Sequence, residues 1–208
     1  WFGRILSAYI FQADQIVTVG DYVDRGPDSR GVLDLMMAAP CVCLMGNHER
    51  MLLDFLDEPE QAGARWLRNG GIETLQSFGI LDLGADPASN LPGLRDRFRR
   101  ALGPGRDRWR RGASLWWQSG SLGVVHAAAD PVLPLYEQRE ETLLWGHGAF
   151  LRQSRQDELW VAHGHTIVPD PVFAKSRIAI DTGAYFSDRL TAAIISEEGD
   201  VRFLETSS

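Results

Sequence analysis

The 208-residue sequence has only two cysteines, a single lysine and no run of 18 uncharged apolar residues. Each scarcity excludes a class of protein. Without a long apolar run there is no membrane-spanning helix to place, and the N-terminus lacks the basic-then-apolar pattern of a secretory signal, so a cytoplasmic location is the default expectation. Cys41 and Cys43 stand two apart in an apolar run, where a strand points both to one face. They read as small buried fillers rather than a disulfide or metal pair. Positive charge is also short, the formal net charge being −7. That argues against a dedicated nucleic-acid binder, because phosphate backbones reward the opposite sign. What basic charge exists is arginine, and it is clustered. Eight arginines stand against Asp96 and Asp107 between Arg95 and Arg111, a local +6 that leaves −13 elsewhere. A solvated helical face is the plain reading of this cluster, and a landing surface for acidic or phosphorylated substrates is the functional one. With 44% hydrophobic residues the chain can build one core, and a single domain spanning residues 1–208 is expected.

Short strands alternate with helices. Gln15-Ile16-Val17-Thr18-Val19 is β-branched and runs into Gly20-Asp21, and after Pro27 either Asp28 or Ser29 can cap a helix carrying Val32, Leu33, Leu35, Met36 and Met37. The pattern then repeats. Pro40 to Met45 forms an apolar strand, Gly46-Asn47-His48-Glu49 a loop, and Arg50 to Leu56 a helix. Two such units in series predict neighbouring parallel strands whose C-terminal ends share one sheet edge. Residues 58–118 read as a mainly helical insert. There Trp66, Leu67, Ile72, Leu75 and Phe78 are interrupted by Gly70-Gly71, and Leu91, Leu94, Phe98 and Leu102 form one stripe of a helix starting near Pro92. Strands return at Leu122–Val125 before His126, at Leu159–Ala162 before His163-Gly164-His165, and at Arg177–Ile180 before Asp181. Leu190 to Ser196 and Val201 to Glu205 read as a hairpin.

Asp21, Asp24, Asn47, His48, His126 and His165 all fall at or just past strand ends, where α/β sheets build their sites. Carboxylate, amide oxygen and imidazole together suit Mn²⁺, Fe²⁺ or Zn²⁺. A carboxylate such as Asp21 can bridge two metals about 3.5–4 Å apart, an arrangement suited to phosphoester hydrolysis. Asp24 can orient His48 through a ring nitrogen and favour the imidazolium that a general acid needs. Arg25 offers a planar donor fork that matches a phosphate. His163 reads as a residue supporting His165 rather than as a ligand.

Gly20-Asp21-Tyr22-Val23-Asp24-Arg25-Gly26 and Gly46-Asn47-His48-Glu49 resemble the second and third signatures of the phosphoprotein phosphatase branch of the calcineurin-like metallophosphoesterases. Val125-His126-Ala127 and Gly164-His165-Thr166 resemble its later metal-binding motifs. Trp66–Gly71 with Thr74-Leu75, and Ile180–Ala184 with Arg189–Ala192, resemble the bacterial members in particular. The resemblance implies an α+β fold, a four-layer α/β/β/α arrangement in which a β-sandwich is flanked by helices. It also implies two divalent metals, manganese foremost and iron or zinc as alternatives. Asp21 would bridge the metals, Asn47, His126 and His165 would complete the second site, Asp24 and His48 would form the general acid, and Arg25 and Asn47 would hold the substrate phosphate.

Two departures qualify these expectations. The family's Gly-Asp-x-His-Gly signature, which supplies the Asp and His of the first metal, has no counterpart in residues 1–20, where Asp14 occurs without any histidine. The chain opens Trp1-Phe2-Gly3 rather than with Met, so those ligands are expected either upstream of Trp1 or absent from the protein. In Leu143-Leu144-Trp145-Gly146-His147, His147 takes the slot of a phosphate-binding arginine, unless Arg152 or Arg139 substitutes. The expected activity is a metal-dependent phosphomonoester hydrolase, a serine/threonine protein phosphatase using metal-bound hydroxide. The alternatives are a dinucleoside polyphosphate hydrolase of the diadenosine tetraphosphate type and an impaired, phosphatase-like binding module. The partner is accordingly a phosphorylated protein or a small phosphoester, with neither nucleic acid nor membrane.

Overall fold

The computed structural model describes residues 13–206, so the Trp1-Phe2-Gly3 opening lies outside the described residues. The chain folds into two compact units, one of Gly20–Pro40 with Met45–Ala113 and one of Cys41–Leu44 and Ser114–Ser208 with the segment up to Val19.

The first unit is helical. Helix α1 (Ser29–Ala38) starts where Asp28 accepts a hydrogen bond from the Gly31 amide at 2.9 Å, and it buries Leu33 and Met36. Helix α2 (Asn47–Asp57) begins three residues earlier than the apolar pattern suggests, because Gly46 is extended and Glu49, three positions on, accepts the Gly46 N–H at 2.9 Å. That places Asn47, His48 and Glu49 in its first turn. Helix α3 (Pro59–Trp66) has proline at its first position, where the missing N–H costs nothing. It ends on Trp66, whose fully buried ring stacks on Phe55 at 4.5 Å. A π-type turn over Leu67–Gly71 leads into α4 (Ile72–Ser77). Gly70 there has φ 110°, outside the helical region, which is the interruption that the glycine pair announces.

Helix α5 (Leu91–Arg111) is capped by Asn90 and kinked at Gly103-Pro104. Its stripe of Leu91, Leu94, Phe98 and Leu102 is buried as the periodicity predicts, each side chain contributing roughly 1.5–3 kcal/mol. Arg97, Arg99, Arg100, Arg108 and Arg111 of α5 are exposed, as a solvated face would have them, but several of the cluster's arginines are also tied down. Arg95 and Arg99 donate to the Leu56 carbonyl at 3.3 and 2.9 Å, and Arg111 grips Asp57 with two hydrogen bonds of 3.0 and 2.7 Å. Three cations therefore cover the C-terminal end of α2, the end that the helix dipole makes negative. Arg106 holds Asp34 in the same two-pronged way, and Arg110 is fully buried beside Asp107.

The second unit is a sandwich of strands. β1 (Val17–Thr18) pairs in parallel with β2 (Val42–Cys43), as the repeated strand-loop-helix pattern predicts, although the ladder is shorter than the apolar runs. A five-stranded sheet has the order β3-β4-β5-β7-β6, formed by β3 (Trp116–Ser119), β4 (Leu122–Val125), β5 (Trp160–His163), β6 (Val172–Ala174) and β7 (Arg177–Ala179). Strands β4, β5 and β7 run parallel, with antiparallel strands at both edges. β8 (Thr191–Ile195) and β9 (Val201–Glu205) form the expected antiparallel hairpin. The two-residue period of a strand divides the core. Val124, Ala162 and Ile178 pack with Leu44, Val17, Val42 and the hairpin residues Ala193 and Phe203. Val125 and Val161 face Leu135, Phe150 and Leu143, the last on helix α6 (Glu140–Trp145). Helix α7 (Ala184–Ser187) is one short turn. Among the described residues no helix is long and apolar enough to cross a membrane. Cys41 and Cys43 are free thiols with sulfurs 3.5 Å apart.

Candidate active site

In the helical unit the site begins with a contorted loop. Asp21, Asp24 and Arg25 have φ of 60°, 72° and 61°, left-handed values that cost a non-glycine residue about 1–2 kcal/mol each. Such a conformation persists only where its surroundings over-determine it. Here they do. The Asp21, Tyr22 and Val23 amides donate in succession to the Glu49 carboxylate at 2.8, 2.7 and 3.2 Å. The Asp24 amide donates to the Thr74 and Ser29 hydroxyl oxygens at 2.8 and 3.2 Å, and the Arg25 amide to the Gly70 carbonyl at 3.3 Å.

The loop delivers the Asp24 carboxylate into a fully partnered pocket. Its Oδ2 lies 2.7 Å from His48 Nδ1, while Oδ1 accepts from Trp66 Nε1 at 3.0 Å and the Thr74 hydroxyl at 2.8 Å. Burial pushes the Asp24 carboxyl up, against the pull of those hydrogen bonds. Burial alone would lower His48, but its hydrogen bond to Asp24 and the negative charges of Asp21 and Asp24 outweigh it, and its pKa is raised. The pair therefore holds its proton, with Nδ1 committed to Asp24 and Nε2 as the other ring nitrogen. The His48 amide in turn donates to Asp21 Oδ1 at 3.4 Å. Asn47 is buried at the start of α2, whereas Arg25 is exposed.

In the strand unit, His126 follows β4 and His165 lies just beyond β5. Because these strands are parallel neighbours, both residues come to one edge with ring centroids 5.1 Å apart. His126 Nδ1 is 2.6 Å from the Val19 carbonyl. A carbonyl only accepts, so Nδ1 carries the proton and Nε2 keeps its lone pair, the tautomer that a cation requires. His126 is 1% exposed and His165 has φ 60°. His163 lies in β5 itself. Its Nδ1 donates to the Gly164 carbonyl at 3.1 Å and its ring packs edge-on against Phe150. Burial lowers its pKa to about 4, so it is neutral. Its Nε2 is buried and has no hydrogen-bond partner among the described residues.

His147 follows α6, with Nε2 3.7 Å from Asp130 Oδ2. The Asp130 backbone is itself fixed by Gln138, which accepts its amide at 2.7 Å and donates to its carbonyl at 3.0 Å. Arg152 turns back onto its own loop, donating to the Gly148 carbonyl at 2.8 Å. Glu49, Thr74 and Trp66 stand inside the quoted motifs without a site role evident from sequence, and Ser29 is evident only as a possible helix cap. The spacing of Glu49, three residues after an extended glycine at a helix start, is the usual signal of a helix-capping carboxylate.

The sequence matches the calcineurin-like phosphoesterase family over residues 2–169. It is 45% identical over 60 residues to serine/threonine-protein phosphatase 1 of Salmonella typhimurium, a match covering 29% of this chain. The chain thus spans about a quarter, 27%, of that relative's length. A longer match, 27% identical over 194 residues, covers 84% of this chain and 72% of the asymmetrical bis(5'-nucleosyl)-tetraphosphatase PrpE of Geobacillus thermodenitrificans. Among solved structures, that of a candidate diadenosine tetraphosphatase superposes with a TM-score of 0.67 at 19% identity, over 98% of this chain and 86% of the other. That likeness carries the fold, the α+β metallo-dependent phosphatase fold. With most of its length matched by the family, the chain belongs to the calcineurin-like metallophosphoesterases, a family that uses divalent metal ions, and is related to both bacterial phosphoprotein phosphatases and diadenosine tetraphosphatases.

Proposed function

We propose that this chain hydrolyses phosphomonoesters with the aid of divalent metal, and that its substrates are serine/threonine phosphoproteins. The observation that carries the reading is the buried Asp24–His48 pair, a proton held on an imidazole whose Nδ1 is occupied 2.7 Å away. Asp21, Asn47, His126 and His165 are the proposed ligands. Their fit is supported by the His126 tautomer, whose Nδ1 proton goes to the Val19 carbonyl so that Nε2 carries the lone pair, and by a set of carboxylate, amide and imidazole groups that suits Mn²⁺, with iron or zinc as alternatives. Bound metal would supply an activated water and withdraw charge from the phosphoryl oxygens. The chain's own residues do the rest. Arg25 and Asn47 orient the phosphate, and His147, placed beside Asp130, adds a donor. His48 passes the Nε2 proton to the leaving oxygen, and Asp24 stabilises the imidazolium until it does.

A second reading, asymmetrical cleavage of dinucleoside tetraphosphates, is favoured by the match to PrpE over most of both chains. Purified protein with Mn²⁺ is assayed on a phosphothreonine peptide and on diadenosine tetraphosphate, each against His48→Ala. Peptide turnover that the dinucleotide does not inhibit supports the first reading. Preferential turnover of the dinucleotide supports the second, and no turnover of either above the His48→Ala control overturns both.

A further inference from the structure

We propose that Glu49 is a positioning residue that sets the Asp21 carboxylate for metal, an inference that rests on the metal-dependent reading above. Both oxygens of its carboxylate accept from backbone amides. Oε1 accepts from Tyr22 and Val23 at 2.7 and 3.2 Å, and Oε2 accepts from Asp21 and Gly46 at 2.8 and 2.9 Å. One fully buried side chain thus ties the loop after β1, which carries Asp21, to Gly46, the residue just before Asn47 at the start of α2.

Asp21 needs the tie. Its φ of 60° is unfavourable for a side-chain-bearing residue, and its own amide is one of the four that Glu49 accepts. The fit leaves no slack, since a Cβ on Gly46 would collide with Asp21 Oδ1 and lie 2.7 Å from Glu49 Oε2. An ionised carboxylate is the side chain that can accept at both ends of this fork. Its anion is further favoured by the first turn of α2 and by the buried Arg110 guanidinium, which attracts it. Glutamine has the same shape but turns one accepting oxygen into a donor, leaving two of the four amides facing an NH₂ group.

The test is Glu49→Gln in the full-length protein, titrated with Mn²⁺ by calorimetry, beside amide hydrogen exchange recorded without metal. Leu102→Ala, a buried α5 change away from both loops, serves as a destabilised control. The expected result is Mn²⁺ affinity weakened 10- to 100-fold in Glu49→Gln, the range for groups that orient metal ligands. Exchange at Asp21, Tyr22, Val23 and Gly46 should be faster, with far-UV circular dichroism unchanged. Leu102→Ala should bind Mn²⁺ within about 2-fold of the wild type. Unchanged affinity in Glu49→Gln, or an equal loss in Leu102→Ala, overturns the proposal. If wild-type protein binds no Mn²⁺, the metal-dependent reading falls, and unchanged exchange at the four amides would then separately refute the tie. Should Glu49→Gln not fold, Glu49→Asp, too short to reach all four amides, carries the same measurements.

Discussion

Asp24 Oδ2 sits 2.7 Å from His48 Nδ1, and both side chains are almost wholly removed from water. The two residues are 24 positions apart, one on a left-handed loop and the other in the first turn of a helix. Such a pair keeps a proton on the imidazole and fixes the direction in which it is released. His48→Ala is expected to lower kcat by about 10²–10⁴-fold, the usual worth of a positioned general acid, while Mn²⁺ affinity stays within about 2-fold. Metal titration beside steady-state kinetics checks this, and undiminished turnover would defeat the assignment.

Trp66→Phe separates the packing of the Asp24 pocket from its hydrogen bonding. The Phe ring keeps the stack on Phe55 but removes the Nε1–H that Asp24 Oδ1 accepts at 3.0 Å. A buried carboxylate that loses one donor is expected to cost about 1–3 kcal/mol of stability, read from urea unfolding at neutral pH. Because Thr74 still donates to the same oxygen, kcat should fall less than in His48→Ala.

In the strand unit, His126→Ala removes the imidazole whose tautomer the Val19 carbonyl selects. Metal content measured by mass spectrometry after gel filtration should fall well below that of wild type. Secondary structure should persist, because β4 ends one residue earlier, at Val125. Wild-type metal content in this variant would remove His126 from the ligand set.

The strand-end residues were legible because period-two apolar runs ending in Asp21, Asn47, His126 and His165 mark places rather than contacts. The pairing of Asp24 with His48 was legible from charge and chemistry. Glu49, Trp66 and Thr74 were not, because their partners are backbone amides and one carboxylate oxygen. A hydrogen bond to backbone leaves no imprint on the identity of the residue it reaches. The contacts of the α5 arginines were not legible for a related reason, although most of these side chains are exposed. Their partners, Asp34, Asp57 and the Leu56 carbonyl, lie far back in the chain, and only folding brings them together.

The Asp57–Arg111 pair has a pH signature. Two hydrogen bonds from Arg111 hold the Asp57 carboxyl below its usual value of 3.8. A depressed carboxylate contributes stability that is full above the unfolded pKa and is lost as pH falls through the folded one. Asp57→Asn is therefore expected to destabilise by up to about 1 kcal/mol at pH 7, as half-exposed ion pairs do. The difference from wild type should shrink below pH 3.8. Parallel urea titrations from pH 7 downward measure it, and a pH-independent difference would mean that Asp57 acts without its charge.

Gly70 links the helical turn to the site loop. It has φ 110°, its carbonyl accepts the Arg25 amide at 3.3 Å, and a Cβ there would stand 2.6 Å from the Arg25 nitrogen. Alanine must therefore both adopt a conformation costing about 1–2 kcal/mol and push Arg25 away. Neither relief is independent of the other, because moving the turn withdraws the carbonyl that helps hold Arg25 at φ 61°. Gly70→Ala is expected to lower stability by more than the backbone cost alone and, if Arg25 holds the phosphate as proposed, to raise KM for a phosphopeptide. Thermal unfolding and initial-rate kinetics on one preparation decide the matter. A stability loss with unchanged KM would show that the turn supports the fold without setting Arg25.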